Sequence, residues 1–88
     1  MNYRVCLHKH AVKFMSVQDA ETKNRLKGGL GKLKIDPLGS DVKKLKGTKG
    51  KQDLYRLRIG DHRVIFSIED DIVYLLEIIP REHGYKWL

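Results

Sequence analysis

Four arginines in the second half of the sequence, Arg56, Arg58, Arg63 and Arg81, are the residues most suited to chemistry. Arginine carries a planar fork of donors that grips phosphate oxygens in pairs, and it stays charged at any ordinary pH. Side chains alternate faces along a strand. If Leu54–Ile59 is a strand, Arg56 and Arg58 share one face, and Tyr55, Leu57 and Ile59 share the other. A two-residue turn at Gly60-Asp61 then sets Arg58 opposite Arg63, Leu57 opposite Val64 and Tyr55 opposite Phe66. Like charges directly across a sheet cost some tenths of a kcal/mol, so the arginine face is expected to meet something negative. Glu77 is one internal candidate: a three-residue second turn would set it opposite Arg63. Arg81 has the same strand parity and would lie at the rim of that face. The pattern is that of a phosphate site.

The elements that position these residues follow from periodicity. Tyr3–Leu7 reads as a first strand. Ala11, Phe14 and Met15 recur at helical spacing, giving a short helix from about Lys9. Ser16-Val17-Gln18-Asp19 fits a capping box with Ser16 as N-cap, so a second helix should run from there to about Lys34, with Val17, Ala20, Leu26, Leu30 and Leu33 as its apolar positions. Gly28, Gly29 and Gly31 weaken that helix by roughly 1 kcal/mol each relative to alanine, unless close packing requires them. Pro37 closes the helical region. Residues 38–53 read as a basic, turn-rich connection. His62–Ile68 alternates like a strand and Ile72–Ile79 makes a last strand, with Asp70-Asp71 between them and Pro80 as the stop. The expected fold is α+β: an N-terminal strand, a two-helix hairpin, then a three-stranded antiparallel meander, forming one twisted sheet with the helices on one face.

Composition bounds the rest. Eighty-eight residues make one domain, 1–88, and 41% apolar content is enough for its core. The net charge of +7 favours a polyanion or an acidic protein as partner. Seven basic residues and one acidic residue lie between Lys43 and Arg58. Within that run Lys46, Lys49 and Lys51 are candidate substrate-binding groups. Cys6 is the only cysteine, which rules out an internal disulfide and a zinc cluster; it reads as a small buried hydrophobe. His8 and His10 are two apart, not four, and read as surface residues. No signal peptide and no run of 18 apolar residues is present, so no membrane association and a cytoplasmic location are expected. The apolar Trp87 and Leu88 are expected to fold back on the sheet.

At Leu45-Lys46-Gly47, at Leu54-Tyr55-Arg56-Leu57-Arg58-Ile59-Gly60-Asp61-His62-Arg63-Val64-Ile65-Phe66, and at Arg81 and Tyr85, the chain resembles the RelE branch of the RelE/ParE toxin superfamily. The helix pair and the Asp36-Pro37 break agree, so the resemblance covers nearly the whole chain. It implies the toxin of a type II toxin–antitoxin system: a ribosome-dependent endoribonuclease that cuts messenger RNA in the decoding site through the RNA's own 2′-hydroxyl, without a metal or cofactor. It also implies contacts with 16S ribosomal RNA and an acidic RelB-like antitoxin that wraps the toxin in a hetero-oligomer.

By the same resemblance, Arg63 matches the arginine that binds and polarises the scissile phosphate, Arg81 a second catalytic arginine, and Tyr85 a tyrosine that stacks on or orients the substrate nucleotide. Arg56 and Arg58 stand where the bacterial founding member has lysines. Arginine is a poor proton acceptor, so these two suit stabilisation of transition-state charge instead. The base is then unassigned. His83, between Arg81 and Tyr85, is the better candidate, because strand parity turns His62 away from Arg63. Two other readings stand beside this one: a ParE-like inhibitor of DNA gyrase, which shares the fold but lacks the arginine and tyrosine constellation, and a non-catalytic module that binds nucleic acid or antitoxin.

Overall fold

A computed structural model describes residues 2–39, 41–45 and 53–80. The elements in chain order are β1 (Arg4–Leu7), α1 (Lys9–Ser16), α2 (Ala20–Ile35), β2 (Val42–Leu45), β3 (Leu54–Ile59), β4 (His62–Glu69) and β5 (Ile72–Pro80). The strands form one mixed sheet in the order β1-β5-β4-β3-β2. β1 runs parallel to β5, and the other neighbours are antiparallel. The helices supply Ala11, Leu26, Leu30 and Leu33 to a core completed by Leu57, Ile59, Val64, Phe66, Val73, Leu75 and Ile78 from one face of the sheet.

The β3–β4–β5 meander, the first strand and the two helices are as expected from the sequence, while three local readings are corrected. Ser16 does not cap α2: it ends α1, where its hydroxyl donates to the Lys13 carbonyl at 2.7 Å. The N-cap is Asp19, whose Oδ1 accepts from the Thr22 amide at 2.8 Å. A hydroxyl spent on its own helix is no longer free to serve the next one, whereas a carboxylate can only accept. With the start moved, Val17 and Ala20 lie exposed. Cys6 is also exposed rather than buried, because β1 is an edge strand and position 6 faces away from the helices.

The third correction is β2, inside the segment read as connection. Val42-Lys43-Lys44-Leu45 has no alternation to announce a strand, but its backbone pairs with β3: Val42 with Leu57, Lys43 with Arg56, Lys44 with Tyr55, Leu45 with Leu54. Adjacent lysines suit a sheet edge, where charge discourages pairing with another chain. Lys44 Nζ also lies 3.2 Å from Asp53 Oδ2.

The glycines of α2 do not break it. A Cβ on Gly29 would run into the Ile59 side chain, meeting Cδ1 and, at 2.6 Å, Cγ1, so glycine there allows the helix to approach β3. At Gly28 and Gly31 a Cβ would meet nothing within 4 Å.

Two outcomes follow. Gly29→Ala lowers stability by roughly 1–3 kcal/mol through overpacking against a buried isoleucine, whereas Gly28→Ala and Gly31→Ala each raise it by about 0.5–1 kcal/mol; urea denaturation of the three variants checks the split. Asp19→Ala lowers Tm by several degrees at neutral pH, and Asp19→Asn by less. The Asp19 carboxyl is held below its ordinary range, first by the Thr22 hydroxyl and then by the Thr22 amide, with a smaller pull from Arg25. A depressed carboxyl stabilises the fold above its unfolded pKa and loses that effect as pH falls through the folded one. The Tm gap between wild type and Asp19→Ala therefore closes below about pH 4.

Candidate phosphate-binding face

The β3–β4 hairpin builds the site. Gly60 takes a positive φ of 56°, as a tight turn requires. The resulting register sets Ile59 opposite His62, Arg58 opposite Arg63, Leu57 opposite Val64, Arg56 opposite Ile65 and Tyr55 opposite Phe66. Leu57, Ile59, Val64 and Phe66 are buried under the helices, and Arg56, Arg58 and Arg63 point to the other face. Arg58 is exposed, while Arg56 and Arg63 are half-buried. Arg58 and Arg63 line a cleft with Gly60, Asp61 and His62.

The face is more than a charged surface. Ile65, opposite Arg56, and Ile79, opposite Arg63, lie on it and are both buried. An apolar floor between cations lowers the local dielectric and strengthens their hold on an anion. Arg56 Nε is buried without a hydrogen-bond partner among the described residues. An unsatisfied buried donor costs on the order of 1–3 kcal/mol, which a bound oxyanion would relieve.

Glu77 lies on this face, but not where a three-residue turn would put it. The β4–β5 turn holds two residues, Asp70 and Asp71, with Glu69 opposite Ile72. A bulge at Leu76 then shifts the register, so that Glu77 pairs with Ile65, and Arg63 pairs with Ile79. The bulge has a clear physical effect. Without it Glu77 would turn toward the core and Ile78 away from it; with it Ile78 is 2% exposed in the core and the carboxylate is outside.

His62 stands on the helix side, its ring meeting Phe14 edge-on at 5.6 Å, as strand parity predicts. Arg81, His83 and Tyr85 lie outside the described residues, as do Lys46, Lys49, Lys51, Trp87 and Leu88. Sequence reading missed Lys43, which β2 brings into register beside Arg56 on the arginine face; its signal was hidden because the strand lacks alternation. His8 and His10 are exposed, as read from the sequence; His10 Nδ1 comes within 3.8 Å of Glu77 Oε2 at the edge of the sheet, and His8 Nδ1 caps α1 by accepting from the His10 amide at 3.2 Å.

The Arg58–Arg63 pair yields a separable outcome. Arg58→Gln removes a like-charge contact and raises stability by some tenths of a kcal/mol at low salt, a gain that fades at high salt. The same variant binds a short RNA more weakly and lowers the salt slope of binding by about one. Denaturation curves and fluorescence anisotropy at several salt concentrations measure both.

Comparison with known proteins places this arrangement. The family model described as the ParE toxin of type II toxin–antitoxin systems, parDE, matches residues 4–85. A Methanocaldococcus jannaschii protein described as "Putative toxin RelE1" is 30% identical over 88 residues, 98% of each sequence. The crystal structure of the archaeal RelE–RelB complex from Pyrococcus horikoshii OT3 contains a chain that is 38% identical, with a TM-score of 0.79, covering 97% of this chain and 99% of that one. A chain of the RelBE2 toxin–antitoxin complex from Mycobacterium tuberculosis shares the fold at 20% identity, with a TM-score of 0.78 over 92% of this chain and all of that one.

Proposed function

Because this chain belongs to the RelE/ParE superfamily of type II toxin–antitoxin toxins, we propose that it is a RelE-type toxin that cuts messenger RNA in the ribosomal decoding site and is silenced by an acidic antitoxin. The observation that carries the reading is the arginine face: Arg58 directly opposite Arg63, with Arg56 and Lys43 in the next row. Such a cluster is unfavourable alone and favourable around a phosphate.

In this reading the 2′-hydroxyl oxygen attacks the adjacent phosphorus and the bond to the 5′ oxygen breaks. The products are a cyclic phosphate and a free 5′-hydroxyl. The 2′-hydroxyl proton leaves to a base, and a proton reaches the departing 5′ oxygen. Arg63 holds the non-bridging oxygens, and Arg58 and Arg56 stabilise the charge that builds on them. Arg81 adds a further cation, Tyr85 orients the nucleotide, and His83 is the candidate proton carrier. Lys46, Lys49 and Lys51 hold the flanking backbone. The chemistry calls for no metal, because the arginines supply the positive charge. Placement of the messenger by the ribosome supplies part of the rate by fixing the in-line geometry. The expected setting is the cytoplasm, where ribosomes and messenger meet.

The ParE description of the matching family model gives the gyrase reading a place in the test. Purified protein is added to ribosomes carrying a defined messenger, and cuts are mapped by primer extension. Cuts confined to the decoding-site codon, absent on naked RNA and reduced 100-fold or more in Arg63→Ala, are expected. Intact messenger on active ribosomes with well-folded protein sinks the nuclease reading, and inhibition of gyrase supercoiling by the same preparation replaces it.

A further inference from the structure

Attack by a 2′-hydroxyl oxygen needs a group that takes its proton, and the guanidinium groups of the arginine face cannot be that group. Each stays protonated and has no lone pair to offer. Two acids project from the strands on this face among the described residues, Glu69 and Glu77. Glu69 pairs with Ile72 at the far end of β4, six residues beyond Arg63 and about 20 Å from it along the strand. Glu77 is much closer. It pairs with Ile65, which pairs in turn with Arg56, so Glu77, Ile65, Arg56 and Lys43 form one row across four strands. Arg63 lies one strand over from Glu77 and two residues along, about 5 Å across the sheet and about 7 Å along it. Glu77 and the two half-buried arginines therefore surround one patch of the face, with the buried Ile65 between them. Asp61 also lines the cleft of Arg58 and Arg63, but it is exposed in the turn, on the side of that pair away from Arg56.

Two features set Glu77 apart from an ordinary surface charge. The bulge at Leu76 turns it onto this face, although a regular strand would have sent it to the other. Nor is its charge taken up by the arginines. The ion-pair contact it makes among the described residues is with His10 Nδ1, 3.8 Å away, which reaches the sheet edge from α1. The His8 ring stands 4.7 Å behind that of His10. The Glu77 side chain is 37% exposed, so it is open to a ligand on the face and to water at the edge. A carboxylate beside a bound phosphate weakens binding through like charge. Its place in a phosphate site is accounted for by proton transfer, which needs an acceptor with a free lone pair close to the reacting atoms.

We propose that Glu77 is the general base of the cleavage reaction and that His10 positions its carboxylate. This rests on the reading of the chain as an RNA-cutting toxin and deepens that reading at the same site. With the phosphate held by Arg63 and Arg56, the 2′-hydroxyl proton passes to a carboxylate oxygen of Glu77. The bond from the 2′ oxygen to phosphorus forms, and the bond to the 5′ oxygen breaks. His83 is then left to give the 5′ oxygen its proton. Glu77 ends the step neutral and returns its proton to water at the sheet edge.

The test is single-turnover cleavage of ribosome-bound messenger by the full chain, with RNA affinity measured by fluorescence anisotropy and folding by circular dichroism. Glu77→Gln cuts at least 100-fold more slowly and binds a short RNA as tightly as wild type or more tightly. His10→Asn cuts three- to tenfold more slowly and changes nothing further when added to Glu77→Gln, because a positioning residue acts through the group it positions. Glu69→Gln, on the same face but far from the arginines, cuts at the wild-type rate. A messenger with sulfur in place of the scissile 5′ oxygen separates base from acid. A thiolate leaves without a proton, so a variant lacking the acid recovers on it and Glu77→Gln does not. Cleavage by Glu77→Gln within threefold of wild type overturns the proposal and leaves the nuclease reading standing. So does recovery of that variant on the sulfur messenger, or a fall in its RNA affinity as large as the fall in rate, which makes Glu77 a binding group. A larger loss in Asp61→Asn overturns it by moving the base to the turn, and additive losses remove His10 from it. If wild-type protein makes no cuts on active ribosomes, the nuclease reading itself falls and the proposal with it.

Discussion

Pairing of β3 with β4 across a two-residue turn is the constraint on which the rest of the structure depends. The side-chain period of a strand is two, so one register decides both faces at once. With Ile59 opposite His62, the residues Leu57, Ile59, Val64 and Phe66 meet the helices, and Arg56, Arg58 and Arg63 cannot do so. A slip of one residue would bury guanidinium groups and expose the core. The core and the arginine face are therefore one structural fact, held by Gly60 in the left-handed region and by the apolar alternation on either side of it.

The same constraint explains why the site can afford its repulsion. Arg58 opposite Arg63, and a buried Arg56 Nε with no hydrogen-bond partner among the described residues, work against the folded chain. Against them stands a core in which Val64, Phe66, Val73, Leu75 and Leu33 are all fully buried. Each such side chain contributes on the order of 1.5–3 kcal/mol. The hydrophobic face of the hairpin holds its cationic face in place, so the arginines are positioned by the core and not by a ligand.

The helices meet that hairpin through a close contact and a cap. Gly29 brings α2 against Ile59, and Asp19 fixes where α2 begins. Since a hollow lies between this helix and β3, the packing that buries Leu30 and Leu33 also sets the width of the surface that ends at Arg58. The arginine face and the hollow on the helix side thus meet at one tight turn, where Arg58 and Gly60 line both.

Much of this was determined by the sequence alone. The hairpin register, the segregation of the three arginines from the apolar face, the two helices and the side on which His62 lies all follow from local periodicity and turn chemistry, which depend on near neighbours in the chain. The long apolar alternation around Gly60-Asp61 and the family pattern at Leu54–Phe66 made the centre of the site legible. The tertiary structure decided what local pattern does not encode. β2 exists because β3 offers an unpaired edge, not because Val42-Lys43-Lys44-Leu45 prefers to be a strand, and so Lys43 joined the site unannounced. The place of Glu77 depends on a bulge at Leu76, which is favourable only because it returns Ile78 to the core. Whether a helix glycine is a defect or a fit depends on what stands across from it: Ile59 at Gly29, open space at Gly28. Periodicity is a property of neighbours along the chain, whereas pairing partners, bulges and close approaches are properties of neighbours in space.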